Sequence, residues 1–166
     1  MQGKTPRETS VILSHLILPE DANPAGNAHG GVILKYIDTA GGIVAKRHAR
    51  GNVVTASIDR TDFLAPVFVG EMVTLKASLN FVGRTSMEVG VRVEAENLET
   101  GEVRHTNSAY IIYVALDGNA RPRAVPPLIL ETAEDHRRNC EANMRREARR
   151  KAREMEACSG RGLERQ

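Results

Sequence analysis

Hydrophobic and polar positions follow two different periods along this chain, and the switches between them divide it into elements. Residues 9–18 (TSVILSHLIL) form a short apolar run that Pro19 ends, the pattern of a first strand. Residues 20–28 are rich in Asp, Asn, Pro and Gly and predict a loop. Over 30–48, Val32, Ile33, Tyr36, Ile37, Ala40, Ile43 and Val44 recur at helical spacing. That helix is a rod of about 28 Å. Apolar residues cover much of its circumference, so other elements are expected to wrap it. Gly41 and Gly42 in its middle cost roughly 1 kcal/mol each relative to Ala, which predicts a sheet in close approach.

Four strands follow. Residues 53–63 open with VVTASI. Over 72–81, Val73, Leu75, Ala77, Leu79 and Phe81 alternate with Thr74, Lys76, Ser78 and Asn80. Over 86–96, Met87, Val89, Val91, Val93 and Ala95 face away from Glu88, Arg92, Glu94 and Glu96. Turns occupy 82–85 and 98–101. Residues 103–116 end in the unbroken apolar run 109–116. Alternation predicts one wet face. The unbroken run predicts a strand covered on both sides, hence central or at a subunit interface. The order predicts an α+β fold, a five-stranded antiparallel sheet wrapped around one helix.

Pro122, Pro126 and Pro127 mark a linker, and residues 130–157 predict a long charged helix. Its thin stripe of Leu130, Ala133, Cys140, Met144, Ala148, Ala152 and Met155 is expected to pack on the body or on another subunit. The division is therefore a folded domain over 1–130 and a charged helical tail over 131–166.

Charge changes the picture only at the end. Residues 1–130 carry 13 basic and 13 acidic side chains, whereas residues 137–153 carry 8 basic and 2 acidic. With 3 Phe, 3 Tyr and no Trp in the chain, this short basic run argues against nucleic-acid binding, and its expected state is solvated. No run of about 18 apolar residues exists to span a membrane. The first residues lack the apolar core of a signal peptide, so a cytoplasmic location is expected. Cys140 and Cys158 both lie in the tail and are read as free thiols. The five His residues (15, 29, 48, 105 and 136) are not spaced as metal ligands, and no serine-nucleophile elbow, phosphate-binding loop or zinc helix is present.

The candidate chemistry lies in the segment Asp21–Gly31 and the helix it enters. Helix N-terminal amides, an amide side chain and an acid are expected close together there. Asp38 lies about two turns into an otherwise apolar helix, so its carboxylate must pair or serve a pocket. Exclusion of water would strengthen it as a base near neutral pH. The alternative is an exposed acid beside Lys35 or Arg60. Gly30 and Gly31 offer amides at the positive end of the helix, suited to an oxyanion; the alternative is a tight turn. His29 is either a donor or a loop residue. Asn23 either orients a water or carbonyl, or caps a turn, as Asp21 and Asn27 also can. Arg84 stands at a strand turn beside hydroxyls, where it either meets a phosphate or pantetheine carbonyl or is merely exposed.

Several motifs in order resemble the hotdog-fold acyl-CoA hydrolases, the group containing bacterial short/medium-chain and brain-type enzymes. They are Asn23-x-x-Gly-Asn-x-His-Gly-Gly31, Asp38-x-Ala-Gly41, Val53–Asp59, Asp62–Pro66, Val69-Gly70, Gly83–Glu88, Ala115-Leu-Asp and Arg121–Pro127. The resemblance covers about residues 7–130. It implies an acyl-CoA thioesterase with Asp38 as general base or nucleophile and Asn23 placing the water or thioester. It implies substrate binding at His29, Gly30 and Gly31, coenzyme A contacts at Thr55, Arg84, Thr85 and Ser86, and no metal or other cofactor, coenzyme A being part of the substrate. It also implies homodimers whose sites are shared between subunits, assembled as a trimer of dimers. A noncatalytic acyl-CoA-binding protein, a hotdog hydratase and a nucleic-acid-binding tail are the rival readings.

Overall fold

The computed structural model describes residues 1–163, with side chains through residue 156. Helix α1 (Pro6–Thr9) leads into β1 (Val11–Leu16), and a 3-10 turn over Pro19–Asp21 follows. The rest is α2 (Gly30–Ala49), β2 (Val53–Phe63), β3 (Met72–Val82), β4 (Ser86–Glu96), β5 (Val103–Ala115) and α3 (Ala133–Leu163). The first strand is shorter than expected because α1 takes its beginning. Thr5 caps α1 in a reciprocal box, its backbone N–H donating to Glu8 Oε2 at 2.6 Å while Glu8 N–H donates to Thr5 Oγ1 at 3.4 Å.

The strands form one antiparallel sheet in the order β1-β3-β4-β5-β2. Strand β5, expected to be central or at a subunit interface, lies inside the sheet between β4 and the edge strand β2, and β4 is the middle strand. Register builds the face that wraps α2 in rows. Leu75, Val93, Asn107 and Phe63 make one row, Leu79, Val89, Ile111 and Ile58 a second, and Met87, Tyr113 and Thr55 a third. Against them α2 buries Ile33, Ile37, Ala40, Val44 and Ala45. The helix ends at Arg50 in the left-handed conformation, with Lys46, Arg47 and His48 at the negative end of its dipole.

Phe81 departs from the predicted alternation. A register shift between Leu79 and Phe81 places Phe81 opposite Glu88, so it leaves the core row and lies under the Arg146 guanidinium.

That outer face is not wet where α3 crosses it. Glu88 is 1% exposed and accepts from Arg145 at 2.7 Å and Arg149 at 3.2 Å, and Arg149 also donates to Asp59. Arg145 stacks over Tyr110 with 3.7 Å to the ring centre, and Asn139 donates to the Asn80 carbonyl. The basic segment is thus partly docked rather than solvated. It docks through Asn139, Ala142, Arg145 and Arg149, while Cys140, Met144 and Ala148 of the expected apolar stripe face water. The reason is the chemistry of the sheet beneath, which offers carboxylates and an aromatic ring and pairs with guanidinium groups better than with methionine. Cys140 is an exposed free thiol; the side chain of Cys158 lies outside the described residues.

His48 gives the fold a pH dependence. Its ring is fully buried at the end of α2, Nε2–H donates to the Pro126 carbonyl at 2.7 Å, and Nδ1 has no partner among the described residues. Burial lowers its pKa, and the Pro126 bond only partly opposes that. The folded value lies below the unfolded one, so the unfolded chain binds more protons in the window between them. The contribution of neutral His48 to stability is fully present above about pH 6.5 and is lost as pH falls through that window. The melting temperature should therefore drop on acidification less in His48→Gln than in the parent; equal slopes would remove His48 as the source.

Candidate active site

Two clusters of functional side chains occupy the face between α2 and the sheet. The first surrounds Asp38. Thr55 on β2 donates its hydroxyl to Asp38 Oδ1 at 2.6 Å, and Tyr113 on β5 shares its proton between the Asp38 carbonyl (2.9 Å) and Oδ1 (3.2 Å). Neither Lys35 nor Arg60 pairs with this acid; Arg60 pairs with Asp62 instead. Oδ1 is thereby fixed, and Oδ2 has no partner among the described residues. Burial, and next the Asp38 charge, push the Tyr113 pKa far up, so the phenol remains a neutral donor.

Gly41 makes this arrangement possible. A Cβ there would lie 2.5 Å from the Tyr113 hydroxyl. The glycine cost anticipated from the sequence is the space in which Tyr113 reaches the Asp38 backbone, one turn back along the helix. The neighbouring Gly42 has no comparable demand, its Cβ meeting Tyr113 only at 3.9 Å.

Thr55 was expected at coenzyme A, and the structure places its hydroxyl on the carboxylate. Thr55→Val should therefore lower kcat about tenfold with little change in KM, the signature of an interaction lost mainly at the transition state. A rise in KM at constant kcat would return Thr55 to a binding role.

The second cluster lies at the N-terminus of α2. Asn23 folds its own loop, its Oδ1 accepting from the backbone N–H groups of Ala25 (2.9 Å) and Asn27 (3.3 Å). Its Nδ2 has no partner among the described residues and is the atom left for a ligand. His29 is the N-cap of α2, its Nδ1 accepting from the Gly31 amide at 2.9 Å. Gly31 is therefore not a free donor. Accepting at Nδ1 leaves the proton of a neutral imidazole on Nε2. Besides Asn23 Nδ2, the donors remaining are the Gly30 amide, which finds no acceptor among the described residues, and His29 Nε2–H.

Beside them opens a slot of about 360 Å³, lined by Asn23, Gly30, Ile33, Phe63, Val67 and Asn107 among others. Asp38 is not part of it. Eight residues along the helix separate Gly30 from Asp38, about 12 Å, so one chain does not bring the two clusters together as the sequence suggested. Arg84, Thr85 and Ser86 sit at the β3–β4 hairpin. Register puts that hairpin at the Tyr113 end of the sheet, with Ser86 opposite Val114 and Met87 opposite Tyr113. Arg84 is exposed; the main-chain carbonyls of Arg84 and Thr85 accept from Val125 and Ala115. Tyr113 and Asn107 were not anticipated from the sequence. The glycine pair in α2 was the signal for the first, and an amide on the inward face of β5 was the signal for the second.

A carboxylate pinned by two hydroxyls and, apart from it, a free helix amide beside a slot with apolar walls are groups of the kind acyl transfer requires. Comparison with known proteins gives the same class. Residues 25–102 match the thioesterase superfamily. Over 129 residues the chain is 39% identical to YkhA of Bacillus subtilis (strain 168), an uncharacterized acyl-CoA thioester hydrolase, covering 78% of this chain and 75% of that one. It superposes on an apo-hexameric acyl-CoA thioesterase with TM-score 0.88 at 39% identity, covering 92% and 97% of the two chains. It superposes on the acyl-CoA hydrolase of Staphylococcus aureus with TM-score 0.86 at 31% identity, covering 98% and 99%. That enzyme is solved with butyryl coenzyme A, coenzyme A and coenzyme A disulfide, and as alanine variants of an aspartate, an asparagine and a threonine. The chain belongs to the thioesterase superfamily and, within it, to the hotdog-fold acyl-CoA thioester hydrolases.

Proposed function

We propose that the chain hydrolyses acyl-CoA to a carboxylic acid and coenzyme A at a site built from two copies, Asp38 from one and Asn23 with Gly30 from the other. The observation that carries this reading is the separation of the clusters. Each is prepared for a reaction it lacks the other half to perform. Support comes from β2, an edge strand with exposed Val54 and Ile58 and no partner on its outer side in the single chain. Pairing two such edges would bring each Asp38 toward the partner's slot. Further support comes from spacing. The asparagine, aspartate and threonine replaced in the Staphylococcus aureus enzyme are separated by 15 and 17 residues, the same intervals as Asn23, Asp38 and Thr55. The hexameric relative supports a trimer of such dimers.

In this mechanism the thioester carbonyl accepts from the Gly30 amide and the Asn23 side chain. Asp38 Oδ2 removes a proton from water as its oxygen attacks the carbonyl carbon. The tetrahedral oxyanion is stabilised by the amide donors and the helix dipole. Collapse breaks the C–S bond, and the proton held by Asp38 goes to the thiolate. Direct attack by Asp38, followed by hydrolysis of the anhydride, is the other route; a single turnover in ¹⁸O water labels the Asp38 carboxyl only in that case. Coenzyme A leaves toward Arg84, Thr85 and Ser86, and no cofactor is invoked beyond the coenzyme A of the substrate.

The test is complementation. Asp38→Ala and Asn23→Ala should each be inactive alone. Exchanged into mixed dimers they should recover about a quarter of the parent activity, because half of the dimers are mixed and each has one intact site of two. Mixtures that stay inactive while subunits exchange would overturn the shared site.

A further inference from the structure

The slot has a polar floor that hydrolysis does not use. Asn107 lines it and is 1% exposed. Its Nδ2 donates to the Asp62 carbonyl at 3.4 Å, the orientation that sets a donor rather than a second oxygen against that carbonyl. Oδ1 is then left buried with no hydrogen-bond partner among the described residues. Among the described residues it is the one such side-chain atom lining the slot. Ile33, Phe63 and Val67 beside it are apolar, and the donors that also line the slot, Asn23 Nδ2 and the Gly30 amide, make no hydrogen bond to it. Phe63 links the two ends, since it pairs in register with Asn107 and its ring lies 3.4 Å from a Cβ placed on Gly30. Asn107 and the Gly30 amide thus line one slot, on either side of Phe63.

A buried acceptor without a donor favours the ligand that brings one. We infer that Asn107 is a specificity-determining residue, and that the preferred substrates are short acyl-CoAs bearing a hydroxyl group, whose O–H donates to Asn107 Oδ1. An unsubstituted chain of the same length leaves the acceptor unpaired in the bound state. A site built to hydrogen-bond a substrate hydroxyl rejects the analogue without it far more strongly than a hydrophobic site rejects an added hydroxyl. This inference rests on reading the slot as the acyl site.

The experiment compares kcat/KM for butyryl-CoA, 3-hydroxybutyryl-CoA and 4-hydroxybutyryl-CoA in the parent, Asn107→Leu and Asn107→Ser. The parent should favour one hydroxylated substrate over butyryl-CoA by about tenfold or more. In Asn107→Leu that ratio should fall to about one or below, which a purely structural role for Asn107 would not produce. Asn107→Ser, smaller and still an acceptor, should keep part of the preference and serves if the leucine variant does not fold. No preference in the parent, or a preference that survives in the folded variants, overturns the inference and assigns a water to Asn107. Failure of the hydrolase reading is distinguishable, because then none of the three substrates releases thiol.

Discussion

Asp38→Ala is expected to lower kcat by about two orders of magnitude or more, the scale on which a positioned general base contributes. The oligomer and the melting temperature should change little. The argument rests on how the acid is held. Oδ1 takes the Thr55 and Tyr113 hydroxyls, which set the carboxylate plane, and Oδ2 is left for the reacting water. Removing the carboxylate leaves the buried Tyr113 hydroxyl its bond to the main-chain carbonyl of residue 38 and leaves the exposed Thr55 hydroxyl to water, so little stability depends on it. Asp38→Asn retains acceptors for both hydroxyls but not the charge, and its kcat should fall as far. If the asparagine variant kept substantial activity, the role of Asp38 would be orientation rather than proton removal.

Gly41→Ala is the second large effect. Elsewhere in a helix this change is stabilising by roughly 1 kcal/mol. Here the new methyl would sit 2.5 Å from the Tyr113 hydroxyl, and that side chain is packed among core residues with little freedom to retreat. A net loss of about 1–3 kcal/mol is expected, together with a fall in kcat as Tyr113 is driven off Asp38. Tyr113→Phe removes the clashing oxygen. In that background Gly41→Ala should cost distinctly less stability, while kcat stays low because the hydroxyl is gone. A cycle showing additive costs would mean that Gly41 is required for another reason.

Much of this fold is legible in the residues because the periods are clean. The inward rows of β3 and β4 follow from alternation, except at Phe81, where one bulge shifts the register. Helix α2 is plain from its spacing. The helical turn at Pro6–Thr9 had a readable signal, Thr5-Pro-x-Glu8, that a run of apolar residues just beyond it obscured. What the sequence hides is pairing at a distance. Glu88 reads as a solvated residue on an alternating strand, and only the fold sets Arg145 and Arg149 over it from 57 and 61 residues away. Asp38 and Asn23 are conspicuous in the sequence, and the predicted helix already sets Gly30 about 12 Å from Asp38, whereas the hydroxyls that meet the acid, Thr55 and Tyr113, are brought to it only by the fold. Tyr113 lies in an apolar run that gives no hint of a hydrogen bond to the acid.

The most direct test of the central claim is free-thiol release from a panel of acyl-CoAs, acetyl to palmitoyl, by the parent and Asp38→Ala side by side. The account predicts turnover by the parent on part of the panel and a loss of about two orders of magnitude or more in the variant, with the same oligomeric state. No thiol release by the parent from any acyl-CoA, or full activity without Asp38, would contradict it.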